Sequence, residues 1–471
     1  MSSQIYYLKN KDEIILEFEV VRTKKVDYYT KKLSIDTKIT NVSLHNDLLP
    51  LNIDKNDIIN SLKNWIDNRK VPKNREFVKD IVSTYSANDK ADFMDYIDVS
   101  LGLSLNDSFW IIPADKEYKW SKYNLYENKF DEALKLVAFK GGSYKITGLT
   151  TSPEYTTNGM LKKCWHREND KIYLYKGQTK QYANGGKEAF CEYYMSQIAK
   201  ALGVEHIDYD LKKFHNEIVS SCELFTSQSE GYCPIYYFLD EEALKKRKGE
   251  LIQAIEKIFT KEKLNDMLLF DAIIYNTDRH LSNFGIIIDN DTLQILRPAP
   301  LFDNGRSIMN FLTETELENI DETLEKEKSF FEYSFDEQLS ASVQKRHYDG
   351  LKKLSTFTFT RHPEFNLDEK WLVAIEKHIQ KRANKALDYL LRNNQNQLLD
   401  NLAKELGIDR NETTEISTLN EYDEGSAGTG SGFGGSRNRN RKNWCYNSGK
   451  IEKDLYGIRW KNFATLSSKR Y

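Results

Sequence analysis

Asp278, Asn283 and Asp303 are the side chains whose types and spacing point to chemistry. They lie within FDAIIYNTDRHLSNFGIIIDNDTLQILRPAPLFDNGRS, residues 270–307. An apolar helix carrying Leu264, Met267, Leu268 and Ile274 is expected to run into the polar cluster Asn276-Thr277-Asp278-Arg279-His280. Two short strand-like runs, 286–288 and 293–296, then flank the turn Asp289-Asn290-Asp291, and the second run leads to Asp303. Transfer of a phosphoryl group asks for a carboxylate that holds an attacking hydroxyl and accepts its proton, and for oxygen donors that hold magnesium against the phosphates. Asp278 suits the first task, and the Asn283 carboxamide and Asp303 carboxylate suit the second. The competing reading of this stretch is a helix-capping loop followed by a structural hairpin.

If phosphates are to be held, other elements must bring groups to them. In the strand expected over 171–176, period-2 alternation puts Ile172, Leu174 and Lys176 on one face. A lysine ending an apolar face needs an anionic partner, and a nucleotide such as ATP supplies one. Upstream, Thr156-Thr157-Asn158-Gly159 has the composition of a tight turn whose N–H groups approach phosphates, with Gly159 permitting close contact. A helix is expected over 187–202, with Cys191, Tyr194, Met195, Ile198 and Leu202 on its apolar face and Gly203 as its stop. It offers two glutamates, Glu188 and Glu192, as partners for the lysine.

The Asp278-to-Asn283 interval equals the Asp-to-Asn interval of the protein-kinase catalytic loop. The order Asp-Arg-His resembles the phosphatidylinositol kinases, and NTDRHLSNFG with PAPLFDNG most closely resembles the HipA-like bacterial serine/threonine kinases. The resemblance covers roughly residues 1–400 and is strongest over 271–307. It implies an ATP- and Mg²⁺-dependent protein serine/threonine kinase, with Lys176 on the phosphates, Glu192 holding Lys176 and Glu188 in reserve. It further implies a growth-inhibiting toxin role, an antitoxin-like protein partner, and autophosphorylation of the glycine-containing loop at Ser152, Thr156 or Thr157. Two departures stand out: Asp303-Asn304-Gly305 replaces Asp-Phe-Gly, and the loop has one glycine rather than three. Arg279 and His280 are expected to brace the catalytic loop.

With 39% hydrophobic and 30% charged residues, the 471-residue chain can fold around sizeable cores in two or three domains. A net charge of −3 excludes a uniformly basic nucleic-acid binder. Five cysteines without a CxxC pair or zinc-ligand spacing are expected to be reduced structural thiols, as in cytoplasm. The first residues are too charged for a signal peptide, and no apolar run approaches the ~18 residues of a membrane span. A cytoplasmic protein is expected.

The stretch SLKNWIDNRKVPKNREFVKDIV, with Arg69, Lys70, Lys73 and Arg75 beside Trp65, Ile66 and Val71, is expected to form an amphipathic helix with a solvated basic face. Residues 101–111 are expected to be an extended crossing anchored by aromatics, and the N-terminal part to carry no chemistry of its own. The run 217–225 reads as a strand entering a hinge, 241–275 as two helices, and 367–393 as a long amphipathic helix. Residues 312–357 show no clear period and are expected to present a solvated helical face. After about residue 410, GSAGTGSGFGG reads as a flexible linker. Arg437, Arg439, Arg441 and Lys442 ahead of Trp444, Tyr446 and Trp460 form a basic tail that either binds nucleic acid or is simply solvated.

The expected architecture is therefore α+β and two-lobed, protein-kinase-like, with an N-terminal α/β extension and a largely helical C-lobe. Its divisions are an extension at 1–125, an N-lobe at 126–225, a C-lobe at 226–410 and a linker with tail at 411–471. The alternatives are a kinase of lipid or small-molecule hydroxyls, and an inactive pseudokinase acting as a binding module. The lack of a basic membrane-facing segment near the site counts against lipid.

Overall fold

The computed structural model describes residues 1–26, 33–86, 92–179, 185–246 and 248–406. The glycine-rich linker and basic tail lie outside the described residues. Met1–Leu390 forms one unit, and it carries every residue of the candidate site.

Alternation of apolar and charged residues builds the first sheet, whose order is β3-β2-β1-β4 with β1 Ser2–Asn10, β2 Glu13–Val26, β3 Leu33–Leu44 and β4 Phe109–Pro113. Leu16, Phe18 and Val20 of β2 are buried while the intervening Glu17 and Glu19 are not. Leu62, Trp65 and Ile66 of the helix Ile58–Arg69 complete this core.

The second sheet is antiparallel with the order β5-β6-β8-β7, from β5 Lys163–Glu168, β6 Lys171–Lys176, β7 Asp210–Phe214 and β8 Glu217–Glu223. Asn169 and Asp170, both at positive φ, make the two-residue turn of the β5–β6 hairpin. The helix Glu188–Leu202 packs against β7 and β8, with the five expected apolar positions buried, and ends at Gly203 with φ 82°. The third sheet joins β9 Glu230–Pro234, β10 Gly285–Asp289 and β11 Ile295–Pro298 in the order β11-β10-β9.

The largest core surrounds the helix Lys261–Ile274, which is apolar on nearly every side and accordingly buried. Gln338 of the helix Phe335–Ser342 donates to the Leu268 carbonyl at 2.9 Å. Arg382 of the helix Glu369–Leu406 donates to the Ala272 carbonyl at 2.9 Å.

Several expectations are corrected. The basic N-terminal stretch is not one helix: it breaks after Arg69, and a second helix forms only at Val78–Ser83, because Pro72 lacks an N–H and restricts the residue before it. Lys73 is exposed as expected of a basic face, but the two arginines are not solvated. Arg69 is bidentate to Asp107 at 2.6 Å and 2.6 Å, and Arg75 is 2% exposed. The crossing at 101–111 turns sharply at Leu101, with φ 57°, before its last residues enter β4. Three helices, Glu241–Lys245, Lys248–Glu256 and Lys261–Ile274, occupy 241–275 instead of two. Residues 312–357 contribute Leu324, Phe331, Phe335, Leu339, Leu351 and Leu354 to the core, because several short helices each bury one side and leave no long period to read.

Among the described residues, no helix is long and apolar enough to cross a membrane. Cys164, Cys191, Cys222 and Cys233 are free thiols.

Candidate active site

Tyr275, in the left-handed region at φ 55°, ends the helix before the loop 276–283. The loop is then closed by its own polar groups. The Asn276 side chain accepts from the Asp278 N–H at 3.0 Å. The Asp278 carbonyl accepts from the His280 N–H at 2.8 Å and from Asn283 Nδ2 at 2.8 Å, and the Asn283 N–H donates to the His280 carbonyl at 2.8 Å. These bonds explain the interval between Asp278 and Asn283, since the carboxamide folds back on the carbonyl five residues earlier. Asp278 is partly exposed, and no hydrogen bond or ion pair holds its carboxylate among the described residues.

Arg279 binds this loop to the rest of the site. It is 1% exposed, and its Nε donates to both Asp271 oxygens at 3.0 and 3.3 Å. Its other nitrogens reach the Asn283 carbonyl at 3.1 Å, Asn304 Oδ1 at 2.7 Å and the Phe302 carbonyl. One guanidinium thus fastens the segment holding Asn283 to the segment holding Asp303, with a geometry that lysine cannot reproduce. Burial pushes the Asp271 carboxyl up, and the Arg279 charge opposes that shift. Phe302 is steadied by a ring cluster, at 5.5 Å from Phe225 and 5.4 Å from Tyr232.

Lys176, at the end of β6, lies between two carboxylates. Its ammonium donates to Glu192 Oε1 at 2.8 Å and pairs with Asp303. Glu192 is fully buried, and its Oε2 accepts from the Asn304 N–H at 2.9 Å. Glu188 turns elsewhere and accepts from the Thr179 hydroxyl at 2.7 Å. Burial disfavours the Lys176 charge, but Asp303 and Glu192 more than offset it and hold the ammonium above its ordinary range. Burial likewise opposes ionisation of Asp303, and the Lys176 and Lys163 charges overcome this, so its carboxyl sits below the usual range.

The glycine-containing loop is firmly seated. Residues Pro153–Thr156 form a 3₁₀ turn, and Ser152, Thr156 and Thr157 are buried while Asn158 and Gly159 are exposed. Thr156 donates to the Leu103 carbonyl at 2.7 Å. Thr157 donates to the Pro153 carbonyl at 2.7 Å and accepts from Trp165 Nε1 at 2.8 Å. The N-terminal part clamps the same loop: the Val71 N–H donates to the Tyr155 carbonyl at 2.6 Å, the Glu76 N–H to the Met160 carbonyl at 2.9 Å, and Arg75 to the Lys163 carbonyl at 2.6 Å. Two backbone N–H groups and the Arg75 side chain of this part thus hold the loop in place. Glu154 is fully buried, accepts from the Trp165 N–H at 2.9 Å, and is pushed by burial up to about 8.

Lys163, Tyr209 and Asp271 are absent from the sequence reading. Lys163 stands directly opposite Lys176 across the hairpin, and its Nζ donates to the Asn158 carbonyl at 2.8 Å beneath the loop. The Asn169-Asp170 turn was the available signal, because centring a hairpin on it pairs the two lysines. Tyr209 and Asp271 carried no local signal.

Among the described residues, no group of three or more His, Cys, Asp or Glu is arranged to hold a metal. A carboxamide and a carboxylate are nonetheless hard oxygen donors of the kind magnesium uses when phosphates and water complete its shell. Asn283 spends its side-chain Nδ2 on the Asp278 carbonyl and so keeps its Oδ1 for a ligand.

No family model matches the chain, and no curated protein matches it. Among solved structures it is similar to the proinflammatory kinase CtkA of Helicobacter pylori, at 19% identity over 50% of this chain and 91% of that one, with a TM-score of 0.41. It is also similar to a chain of the HipA, HipB and operator DNA complex of the Shewanella oneidensis MR-1 toxin–antitoxin system. There the identity is 12% over 81% of this chain and 97% of that one, with a TM-score of 0.47.

Proposed function

We propose that the chain is an ATP- and Mg²⁺-dependent kinase that phosphorylates serine or threonine on a protein substrate, of the HipA-like type. The observation that carries this reading is the half-buried Lys176 held between Glu192 and Asp303, with Arg279 fastening the Asp303 segment to the Asp278–Asn283 loop. Two carboxylates around one lysine leave local negative charge for a divalent cation, and the lysine leaves positive charge for phosphates.

In this reading Lys176 orients the ATP phosphates, and the N–H groups of Thr157, Asn158 and Gly159 cradle them from the loop. Asn283 and Asp303 would hold Mg²⁺, which neutralises charge on the phosphates when bound. Asp278 accepts a hydrogen bond from the acceptor hydroxyl, aims its oxygen at the γ-phosphorus and takes its proton. The chain contributes mainly position and preorganised charge. Two lobes, 126–225 and 226–410, would bracket the nucleotide, with 1–125 packed on them. The sequence resemblance adds a growth-inhibiting role and an antitoxin-like partner, and the cysteine pattern adds a cytoplasmic setting. Autophosphorylation at Ser152, Thr156 or Thr157 would require the loop to leave its seat, since these hydroxyls are buried, and roughly two added negative charges would oppose its return.

The test is transfer of labelled γ-phosphate from Mg-ATP, with protein acceptors and inositol-lipid vesicles as separate substrates and mass spectrometry to locate the label. Label on protein serine or threonine that falls by roughly 10²-fold or more in Asp278→Asn, Asp303→Asn and Lys176→Met supports the proposal. Label on lipid alone identifies a lipid kinase. Absence of both transfer and ATP binding identifies an inactive binding module.

A further inference from the structure

Asp303 has φ 57°, a left-handed conformation that costs a non-glycine residue roughly 1–2 kcal/mol. Such a backbone persists only where its surroundings hold it, and here two successive N–H groups are held by side chains from elsewhere in the chain. The Asn304 N–H is taken by Glu192 at 2.9 Å and the Asp303 N–H by the Tyr209 hydroxyl at 3.2 Å. Tyr209 arrives there by register. The Leu301 N–H donates to the Glu205 carbonyl at 2.9 Å, the Ile207 N–H donates to the Leu301 carbonyl at 2.9 Å, and His206 and Leu301 form a parallel bridge. Three residues beyond His206 and two beyond Leu301, Tyr209 meets Asp303.

We propose that Tyr209 is a positioning residue for metal binding: its hydroxyl locks the Asp303 backbone in the conformation that presents the carboxylate to a divalent cation. This rests on the kinase reading, in which Asp303 is a metal ligand. Glu192 and Lys176 restrain Asp303 through the next amide and through its own carboxylate, but the Asp303 N–H is held by Tyr209. Removing one hydroxyl frees that amide while leaving every charge in place.

The experiment is Mn²⁺ binding to the purified full chain with ADP present, read by the electron paramagnetic resonance signal of free Mn²⁺, for the unmodified protein, Tyr209→Phe and Asp303→Asn. Tyr209→Phe is expected to weaken Mn²⁺ about tenfold, the scale of one lost hydrogen bond that leaves a buried donor unpaired. ADP affinity in EDTA should stay at the unmodified value, and the melting temperature should fall by no more than about 2 °C. In phosphate transfer, the half-saturating Mg²⁺ should rise by the same factor while kcat recovers at saturating Mg²⁺. Unchanged Mn²⁺ affinity in Tyr209→Phe, with Asp303→Asn impaired, overturns the role of Tyr209 alone. Equal Mn²⁺ binding by the unmodified protein and Asp303→Asn overturns the metal-ligand reading itself. A Tyr209→Phe protein that loses ADP affinity and melting temperature in step with Mn²⁺ also overturns the proposal, since the residue then acts as general scaffold.

Discussion

Replacing Arg279 with methionine tests whether one buried guanidinium holds the Asp278–Asn283 loop and the Asp303 segment together. Methionine fills much of the same volume, so the main loss is charge and hydrogen bonding. Asp271 is 1% exposed, and without Arg279 its remaining side-chain donor is Asn276 at 3.2 Å. Deleting one partner of a buried pair costs about 3–5 kcal/mol, because the other charge is stranded in a medium that cannot solvate it. The carbonyls of Asn283 and Phe302 lose a donor as well. At about 2.1 cal/mol/K of unfolding entropy per residue across Met1–Leu390, a loss of about 4 kcal/mol lowers the melting temperature by about 5 °C. Scanning calorimetry at neutral pH reads this directly. The double variant Asp271→Leu with Arg279→Met should regain most of that stability, because apolar replacement of a whole buried pair is often neutral. It should not regain phosphate transfer, since Asn304 and the two carbonyls stay unheld. A single variant melting within 1 °C of the unmodified protein would refute the reasoning, as would a double variant no more stable than the single.

Glu154 has a carboxyl raised by burial to about 8, so between the ordinary carboxylate range and pH 8 the folded chain keeps a proton that the unfolded chain has released. Its contribution to stability therefore falls as pH rises through that window and levels off above it. The melting temperature of Glu154→Gln relative to the unmodified protein should climb from pH 5 to pH 8.5, and a pH-independent difference would count against a protonated Glu154. Gly159, at φ 97°, faces Lys163 so closely that an added Cβ would strike the amine. Gly159→Ala should lose about 1–2 kcal/mol in urea unfolding. Adding Lys163→Ala should return part of this by removing the collision, and equal losses in the two proteins would show that the contact is unimportant.

The legible parts of the site were those whose geometry is local. Asp278 and Asn283 are joined by bonds spanning a few residues, so their types and interval were enough to identify the turn. The helix Glu188–Leu202 announced its buried face through its period and its end through Gly203. The β5–β6 hairpin is equally local, because centring it on the Asn169-Asp170 turn sets the register that pairs Lys163 with Lys176.

Other features depended on which faces meet, and periodicity within one segment does not carry that information. Glu188 and Glu192 lie one turn apart on the same helix, so its period leaves both open, and the approach of β6 and the Asp303 segment gives Lys176 to Glu192, as the resemblance implied, and leaves Glu188 to Thr179. Arg69 and Arg75 read as a solvated basic face, yet each is buried where acceptors from distant residues await it: Asp107 for the first, the Lys163 carbonyl for the second. The sequence by itself determined the turn, the apolar helix faces and the residue types at the site. Tertiary structure decided which charges are buried and paired, because the cost of burying a charge is set by partners that arrive from far along the chain.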